Sequence, residues 1–584
     1  MSVAYVTLND PVRVRFHGAL TLPNLEAPVP KPMAEPFCWR IIGHCGHWTA
    51  NVRQFGRDLC LKVFAQRGLA LPVSHVPRTL SERPFPKGHH WSYGAIRPLA
   101  RRGCEVERLN ALDAEFLHLE DGIVHMHIAG ASVFDDPPPS FHEVEALVAS
   151  KLHLIPRYRQ RIRSVPFELG RPVWVDDPHF DVGYHLRHTA LPAPGDDAAF
   201  CGLMGRLMSQ PLNRERPLWE AWIVEGLEGG RWALVFKVHH CMVDGIAGVE
   251  LLTVLLDLEA DTTLAEPQPW TPHSEAPGLL KVLDAWGGLV SSTLAATRGL
   301  PGSIAHPVAT ARSTLTTAEG AVRFMRSLAP TRPLSIEGPI GPHRVWAHSS
   351  ASLADVKTIR SAFGGTVNDV VLAAVSGGYR ALLMERGDDA DRAVVRSLVP
   401  VSTRHDDGRG VPDNRVSALL YELPVQIADP VERLQVVHDQ MTKLKSSHIS
   451  EAGEAVTTIG NLAPPMVVGP VSRMAIRSMH LFGQRSLNTV TTNVPGPQFP
   501  LYCLGHEMLE YRPFVPISHG LRVGTAILSY NGNLFFGVTG DYETMPDVGV
   551  LATAATSGIE DLHSRALLWL GNNRFGGTLP SRAG

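Results

Sequence analysis

Two adjacent histidines at the end of an apolar stretch constrain this chain more than any other feature, in the run Lys237-Val238-His239-His240-Cys241-Met242-Val243-Asp244-Gly245. The preceding residues Trp232, Ala233, Leu234, Val235, Phe236, Lys237 and Val238 are bulky or β-branched and lack Gly and Pro, which predicts a largely buried strand. Side chains alternate across a strand, so His239 and His240 must face opposite ways while extended geometry lasts. That alternation disfavours a metal shared by both imidazoles and Asp244, whose ligand atoms would have to converge to about 2.0–2.2 Å from one ion. Beyond Gly245, the residues Ile246, Val249, Leu251, Leu252, Val254, Leu255, Leu256 and Leu258 predict a buried helix, placing the histidines at a strand-to-helix corner.

A neutral imidazole accepts a proton from a hydroxyl near neutral pH, which few other side chains do as readily. In that chemistry Asp244 is an orienting group that fixes the corner or a tautomer, and Gly245 permits a turn that a Cβ could forbid. The competing interpretation makes both histidines core residues satisfied by backbone carbonyls. Cys241 reads as a small buried filler, because a thiol nucleophile needs a depressed pKa and a partner that no local pattern displays.

The chain resembles the bacterial wax ester synthase/diacylglycerol acyltransferase family. The resemblance begins at Leu109-Asn110-Ala111-Leu112-Asp113-Ala114-Glu115-Phe116-Leu117, with Met126-His127-Ile128 after it, and runs through Pro172-Val173-Trp174-Val175 and Pro217-Leu218-Trp219-Glu220 to the histidine motif. It continues at Gly365-Thr366-Val367-Asn368-Asp369-Val370, Val399-Pro400-Val401-Ser402-Thr403-Arg404 and Thr492-Asn493-Val494-Pro495-Gly496-Pro497, spanning residues 107–575. The histidine motif alone is also similar to that of condensation domains and other chloramphenicol-acetyltransferase-like enzymes; the ordered set is far more specific.

The resemblance implies an α/β fold of two chloramphenicol-acetyltransferase-like domains, each a mixed sheet flanked by helices, with a channel between them and a poorly structured N-terminal extension. It implies direct transfer of a fatty acyl group from acyl-coenzyme A, a co-substrate, to diacylglycerol, with no cofactor and no metal. His240 would be the general base, His239 its support, Asp244 the orienting group and Gly245 the turn. Asn368 and Asp369 would shape the site or bind substrate. From the residues alone, that Asn-Asp pair also suits a helix N-cap ahead of Val370–Val375. The alternatives are a wax ester synthase acting on long-chain alcohols, or a lipid-binding protein on the same scaffold without turnover, since fold does not guarantee activity.

At 584 residues and 44% hydrophobic content, the chain can bury more than one core. The expected divisions are an extension at 1–104, an acyltransferase domain at 105–272 carrying the histidine motif, a helical linker at 273–335, an acyltransferase-like domain at 336–575 and a tail at 576–584. The extension holds fourteen Lys and Arg against five Asp and Glu, and reads as disordered or as a start-site artefact. In the linker Leu279, Val282, Leu283, Trp286, Leu289 and Val290 recur at helical spacing, as in a helix packed on the core, with interfacial lipid contact as the alternative. The basic run Pro156–Arg163 reads as a solvated face, with coenzyme A phosphates as the sharper alternative. Lys281, Asp284 and Arg298 interrupt any membrane span.

Seven irregularly spaced cysteines do not suggest a disulfide framework, which fits a cytoplasmic setting. Peripheral contact with the inner membrane, a lipid droplet or other lipid inclusions stays open, and no nucleic-acid partner is expected. The chain contains no Gly-x-Ser-x-Gly elbow, His-Glu-x-x-His pair, Walker loop or dinucleotide fingerprint. Asn531-Gly532, between two apolar runs, predicts a tight hairpin, and Thr492-Asn493-Val494-Pro495-Gly496-Pro497 reads as a rigid loop with a structural role.

Overall fold

A computed structural model describes residues 107–135, 137–166, 170–243, 253–261, 264–273, 331–402, 416–446 and 485–574, together with the two-residue strands Val6–Thr7 and Arg13–Val14. Met1–Glu105 and Val106–Gly584 are separate units. The remainder of the N-terminal extension, most of the linker, Asp244 and Gly245 themselves, and residues 246–252 of the helix expected after them lie outside the described residues; of that helix, 253–255 are helical, Leu255 and Leu256 are buried, and Leu258 is exposed rather than buried.

The larger unit is mixed α/β. In chain order its main elements are α1 (Ala111–Leu119), β1 (His127–Phe134), α2 (Phe141–Lys151), β2 (Gln160–Arg163), β3 (Val173–Asp176), β4 (Leu186–Ala190), α3 (Asp197–Met208), β5 (Trp219–Glu225) and β6 (Trp232–His239). Then follow β7 (Arg344–Ser352), α4 (Leu353–Phe363), α5 (Val367–Glu385), β8 (Val395–Ser402), β9 (Val416–Leu423) and α6 (Pro430–Ser446). The last are β10 (Thr489–Pro495), β11 (Tyr502–Cys503), β12 (His506–Phe514), β13 (Val523–Tyr530), β14 (Asn533–Asp541) and α7 (Val548–Arg574).

Two six-stranded sheets result, in the orders β11-β12-β1-β6-β5-β4 and β7-β14-β13-β10-β8-β9. The first is not built from the N-terminal half alone. After β10 has joined the second sheet, the chain crosses to the first and lays β12 antiparallel along β1.

β6 is buried on both faces, as its composition predicts. Trp232, Leu234 and Val238 belong to one core with Phe134, Trp219 and Met508, whereas Ala233 and Val235 pack with Phe200, Leu203 and Met204 of α3. Leu528, Tyr530 and Phe535 of the second sheet complete the first of these cores, so the sheets share hydrophobic packing. A close approach adds to it: a Cβ at Gly205 on α3 would lie 2.5 Å from the Arg344 carbonyl oxygen. The other large core unites α4, α5 and α7 with the second sheet.

The expected hairpin joins β13 to β14, with Asn531 and Gly532 at φ 42° and 84°. Three expectations change. Thr366 caps α5, and Asp369 is the reciprocal member of its capping box, so neither Asn368 nor Asp369 is the N-cap. Thr492–Pro495 is strand rather than loop, paired in parallel with β13, as its β-branched composition permits. The basic run is no solvated face: Tyr158 and Arg159 are buried, Arg157 and Arg159 stack over Trp174 and Trp270, and Arg163 pairs with Glu215 at 2.6 Å.

Candidate active site

The two histidines part at the end of β6. His239 is the last strand residue, and His240 opens a single 3₁₀ turn, His240–Met242. The His239 amide donates to the Leu218 carbonyl at 3.0 Å, and the His240 amide donates to the Met126 carbonyl at 2.8 Å. Segments flanking β5 and β1 therefore hold the corner from both sides.

His239 is completely buried. Its Nδ1 accepts the Cys241 amide hydrogen at 3.1 Å and lies 3.0 Å from the Cys241 sulfur. With Nδ1 an acceptor, the ring turns its Nε2 towards Glu120 Oε2 at 3.5 Å. His127, the cross-strand partner of His239, approaches the other oxygen of Glu120 at 3.1 Å through Nε2. Arg214 donates to Glu120 Oε2 from Nη2 at 2.6 Å and from Nε at 3.1 Å. Burial works against the Glu120 charge, but hydrogen bonds from His127 and His239 outweigh it and hold the carboxyl well below the usual range. Burial is the main force driving His127 down to about 3, so its ring is neutral beside that carboxylate.

His240 is different. It is only partly buried, and its ring stacks on Phe116 of α1 with centroids 4.0 Å apart and planes inclined by 25°. Of the two residues, it is the one that is not fully buried. The neighbouring candidates are unsuited to proton transfer or attack. Burial pushes the Cys241 thiol well above its ordinary value, so it stays protonated. Lys237 is buried with Nζ donating to the carbonyls of Leu207 and Gln210 at the end of α3, where a cation complements the helix dipole, although burial draws it down to about 8.

The second half supplies a separate polar cluster. The Asn368 side-chain oxygen accepts from Asn493 Nδ2 at 3.0 Å, tying α5 to β10. Asp369 is buried, and its Oδ2 accepts from the Thr366 amide and meets His438 Nδ1, each at 2.9 Å. Asp369 is thus committed to the start of α5, while Asn368 is placed by a partner from another sequence motif.

Sequence reasoning missed Glu120 and Arg214, and it passed over Phe116 and His127 although both stood inside quoted motifs. Phe116 follows α1 periodicity and reads as core. His127 could have been found by pairing β1 with β6 in register. Glu120, which ends a helix, carries no periodic signal. Among the described residues, no group of three or more His, Cys, Asp or Glu side chains is arranged to hold a metal ion.

A fully buried histidine thus stands beside a partly buried one at the end of β6, in a unit whose two mixed sheets share hydrophobic packing. Residues 109–371 match the wax ester synthase/diacylglycerol acyltransferase catalytic domain, and residues 413–563 match the WS/DGAT C-terminal domain. The catalytic-domain match runs through β7 and α4 into α5. The Mycobacterium tuberculosis protein named probable diacylglycerol O-acyltransferase tgs1 is 37% identical over 465 residues, covering 79% of this chain and 96% of the relative. The solved structure of the wax ester synthase/diacylglycerol acyltransferase from Marinobacter aquaeolei VT8 is 25% identical with a TM-score of 0.55, covering 79% of this chain and 99% of that one. The chain belongs to the wax ester synthase/diacylglycerol acyltransferase family and is an acyltransferase.

Proposed function

We propose that this enzyme moves a fatty acyl group from acyl-coenzyme A to the free hydroxyl of diacylglycerol, forming triacylglycerol, with His240 as general base. The observation that carries this reading is the difference between the histidines: His239 is fully buried against Glu120 and Cys241, and His240 is only partly buried, with its ring stacked on Phe116. The acceptor class comes from the name of the tuberculosis relative.

In this mechanism His240 takes the hydroxyl proton as the acceptor oxygen attacks the thioester carbonyl. The new C–O bond forms, the C–S bond breaks, and the imidazolium returns its proton to the departing thiolate. Both reactants are held together, so no acyl-enzyme is needed and much of the entropic barrier is removed. His239 supports the corner. Asp244 and Gly245 are assigned the orienting and turn roles by motif, and Asn368 and Asp369 shape the site from the second half. No cofactor or metal takes part.

The Marinobacter enzyme's name covers a second reading, esterification of long-chain alcohols. Among the described residues no helix is long and apolar enough to cross a membrane, so lipid acceptors would be met by peripheral contact with a membrane or lipid droplet. Purified protein given labelled palmitoyl-coenzyme A, with dioleoylglycerol and hexadecanol in competition, should yield mainly labelled triacylglycerol. Predominant wax ester would transfer the assignment to the alcohol, and absence of both esters would remove it.

A further inference from the structure

The seven residues Glu120–Met126 join α1 to β1, and two groups that touch His240 bracket this loop: the Phe116 ring lies before it, and the Met126 carbonyl that accepts the His240 amide ends it. The loop is secured from the second half of the chain at three points. Arg344, the first residue of β7, donates from Nη2 to the Ile123 carbonyl at 2.6 Å. His519 Nε2 meets Asp121 Oδ2 at 2.8 Å, while Asp121 Oδ1 accepts the amides of Ile123 and Val124 at 2.7 and 2.8 Å. Val124 and Met126 share a small core with Ile340 and Ile517, against which Phe116, Leu119 and Ile123 also pack.

Arg344 is itself immobilised. Only 4% of it is exposed, Nη1 donates to the Gly341 and His343 carbonyls at 2.6 and 3.0 Å, and its amide donates to Ser209 Oγ at 2.9 Å. Asp541 Oδ1 accepts the Gly341 amide at 2.6 Å, extending the bracing into β14. Its guanidinium donates to three carbonyl acceptors, while the Asp541 and Asp121 carboxylates act on it through space, so its directed bonds build position. Among the described residues, the guanidinium's acceptor in the first half is the Ile123 carbonyl, in the loop beside the base.

We infer that Arg344 is a positioning residue for acyl transfer: through the Ile123 carbonyl, and with the Asp121–His519 pair, it makes the second half set the placement of His240. The inference rests on the reading of His240 as base. An alternative is that the tie adds stability alone. The two differ in what they do to turnover in protein that is still folded.

The test uses full-length Arg344→Met, Arg344→Lys, Asp121→Asn, His519→Asn and His240→Ala, assayed with palmitoyl-coenzyme A and dioleoylglycerol well below each variant's Tm. Arg344→Met should lower kcat about 10- to 100-fold with KM for both substrates unchanged, the signature of a misplaced reacting group. Arg344→Lys should recover part of that loss, because an ammonium can still reach a carbonyl. Asp121→Asn keeps a turn acceptor and His519→Asn lies at the periphery, so each should lower kcat by a smaller factor. Unchanged kcat in folded Arg344→Met, or a loss expressed only as lower Tm or higher KM, would overturn the inference. Should Arg344→Met fail to fold, unchanged kcat in both Asp121→Asn and His519→Asn overturns it instead. Parental turnover in His240→Ala would sink the base assignment, whereas an inactive His240→Ala beside untouched tie variants would sink this inference alone.

Discussion

The two sheets have the same number of strands but differ in the polar groups near their centres. Around the end of β6 in the first sheet, Glu120, His127, His239 and Lys237 are buried ionisable groups, with the half-exposed Arg214 against Glu120. At the centre of the second, Tyr379 of α5 bonds to the hydroxyls of Thr489 and Thr525, and Ser397 bonds to Thr491 at 2.8 Å, a network without charge. A neutral hydroxyl network can be satisfied within one sheet. A buried carboxylate needs cations and donors brought from several elements, and it imposes a geometry on them. The carboxylate beside the end of β6 thus gathers Arg214, His127 and His239 from three separate segments.

If this contrast is right, the largest effect belongs to the partly buried histidine. His240→Ala should lose about 10²–10⁴-fold in kcat with little change in Tm, measured by ester formation and thermal melting of the same preparation. Glu120→Gln should come next, lowering both. We expect about 2–3 kcal/mol of stability lost by denaturant titration, less than for a fully buried pair because Arg214 is half exposed. A variant as stable as the parent would remove the carboxylate from its central place in the contrast.

Acid should separate the sheets further. His127 binds its proton near pH 3 when folded, against about 6.5 when unfolded. As pH falls below 6.5, the unfolded chain takes up a proton that the folded one refuses, so stability declines towards pH 3. The depressed Glu120 carboxyl adds a contribution that is complete above about pH 4.5 and is lost as pH falls further. His127→Gln, which can still donate to Glu120, should flatten the decline between pH 6.5 and 4.5. An unaltered slope would show that other groups set it.

The smallest effects lie in the second half. Tyr379→Phe should cost about 1–2 kcal/mol and leave kcat unchanged. Thr366→Ala should cost about 1 kcal/mol through loss of the α5 cap. A drop in kcat for either, in folded protein, would make the second sheet's interior part of the site and weaken the comparison.

What could be read from the chain follows the range of the forces involved. β6, the divergence of His239 from His240, and the Asn531-Gly532 turn arise from alternation and local backbone preference, so neighbouring residues suffice to reveal them. Glu120 and Arg214 are brought together across 94 positions, and neither has a local pattern that announces its partner. Asn368 stood out, but its partner Asn493 was read as loop, because Pro495 and Gly496 dominate the look of that segment. Thr366 was overlooked as a cap because Asn368-Asp369 is a stronger cap signal by residue type, whereas the structure uses the reciprocal Thr-to-Asp pair.

The crossing of β12 into the first sheet has a consequence for the newborn polypeptide. Until residue 514 has left the ribosome, one margin of β1 has no neighbour to complete its ladder, although every other strand on its far side has been available since β6 emerged. A bare margin of that kind recruits foreign strands. The catalytic corner would therefore be among the last parts of the enzyme to become protease-resistant during synthesis, which stalled nascent chains of increasing length would reveal.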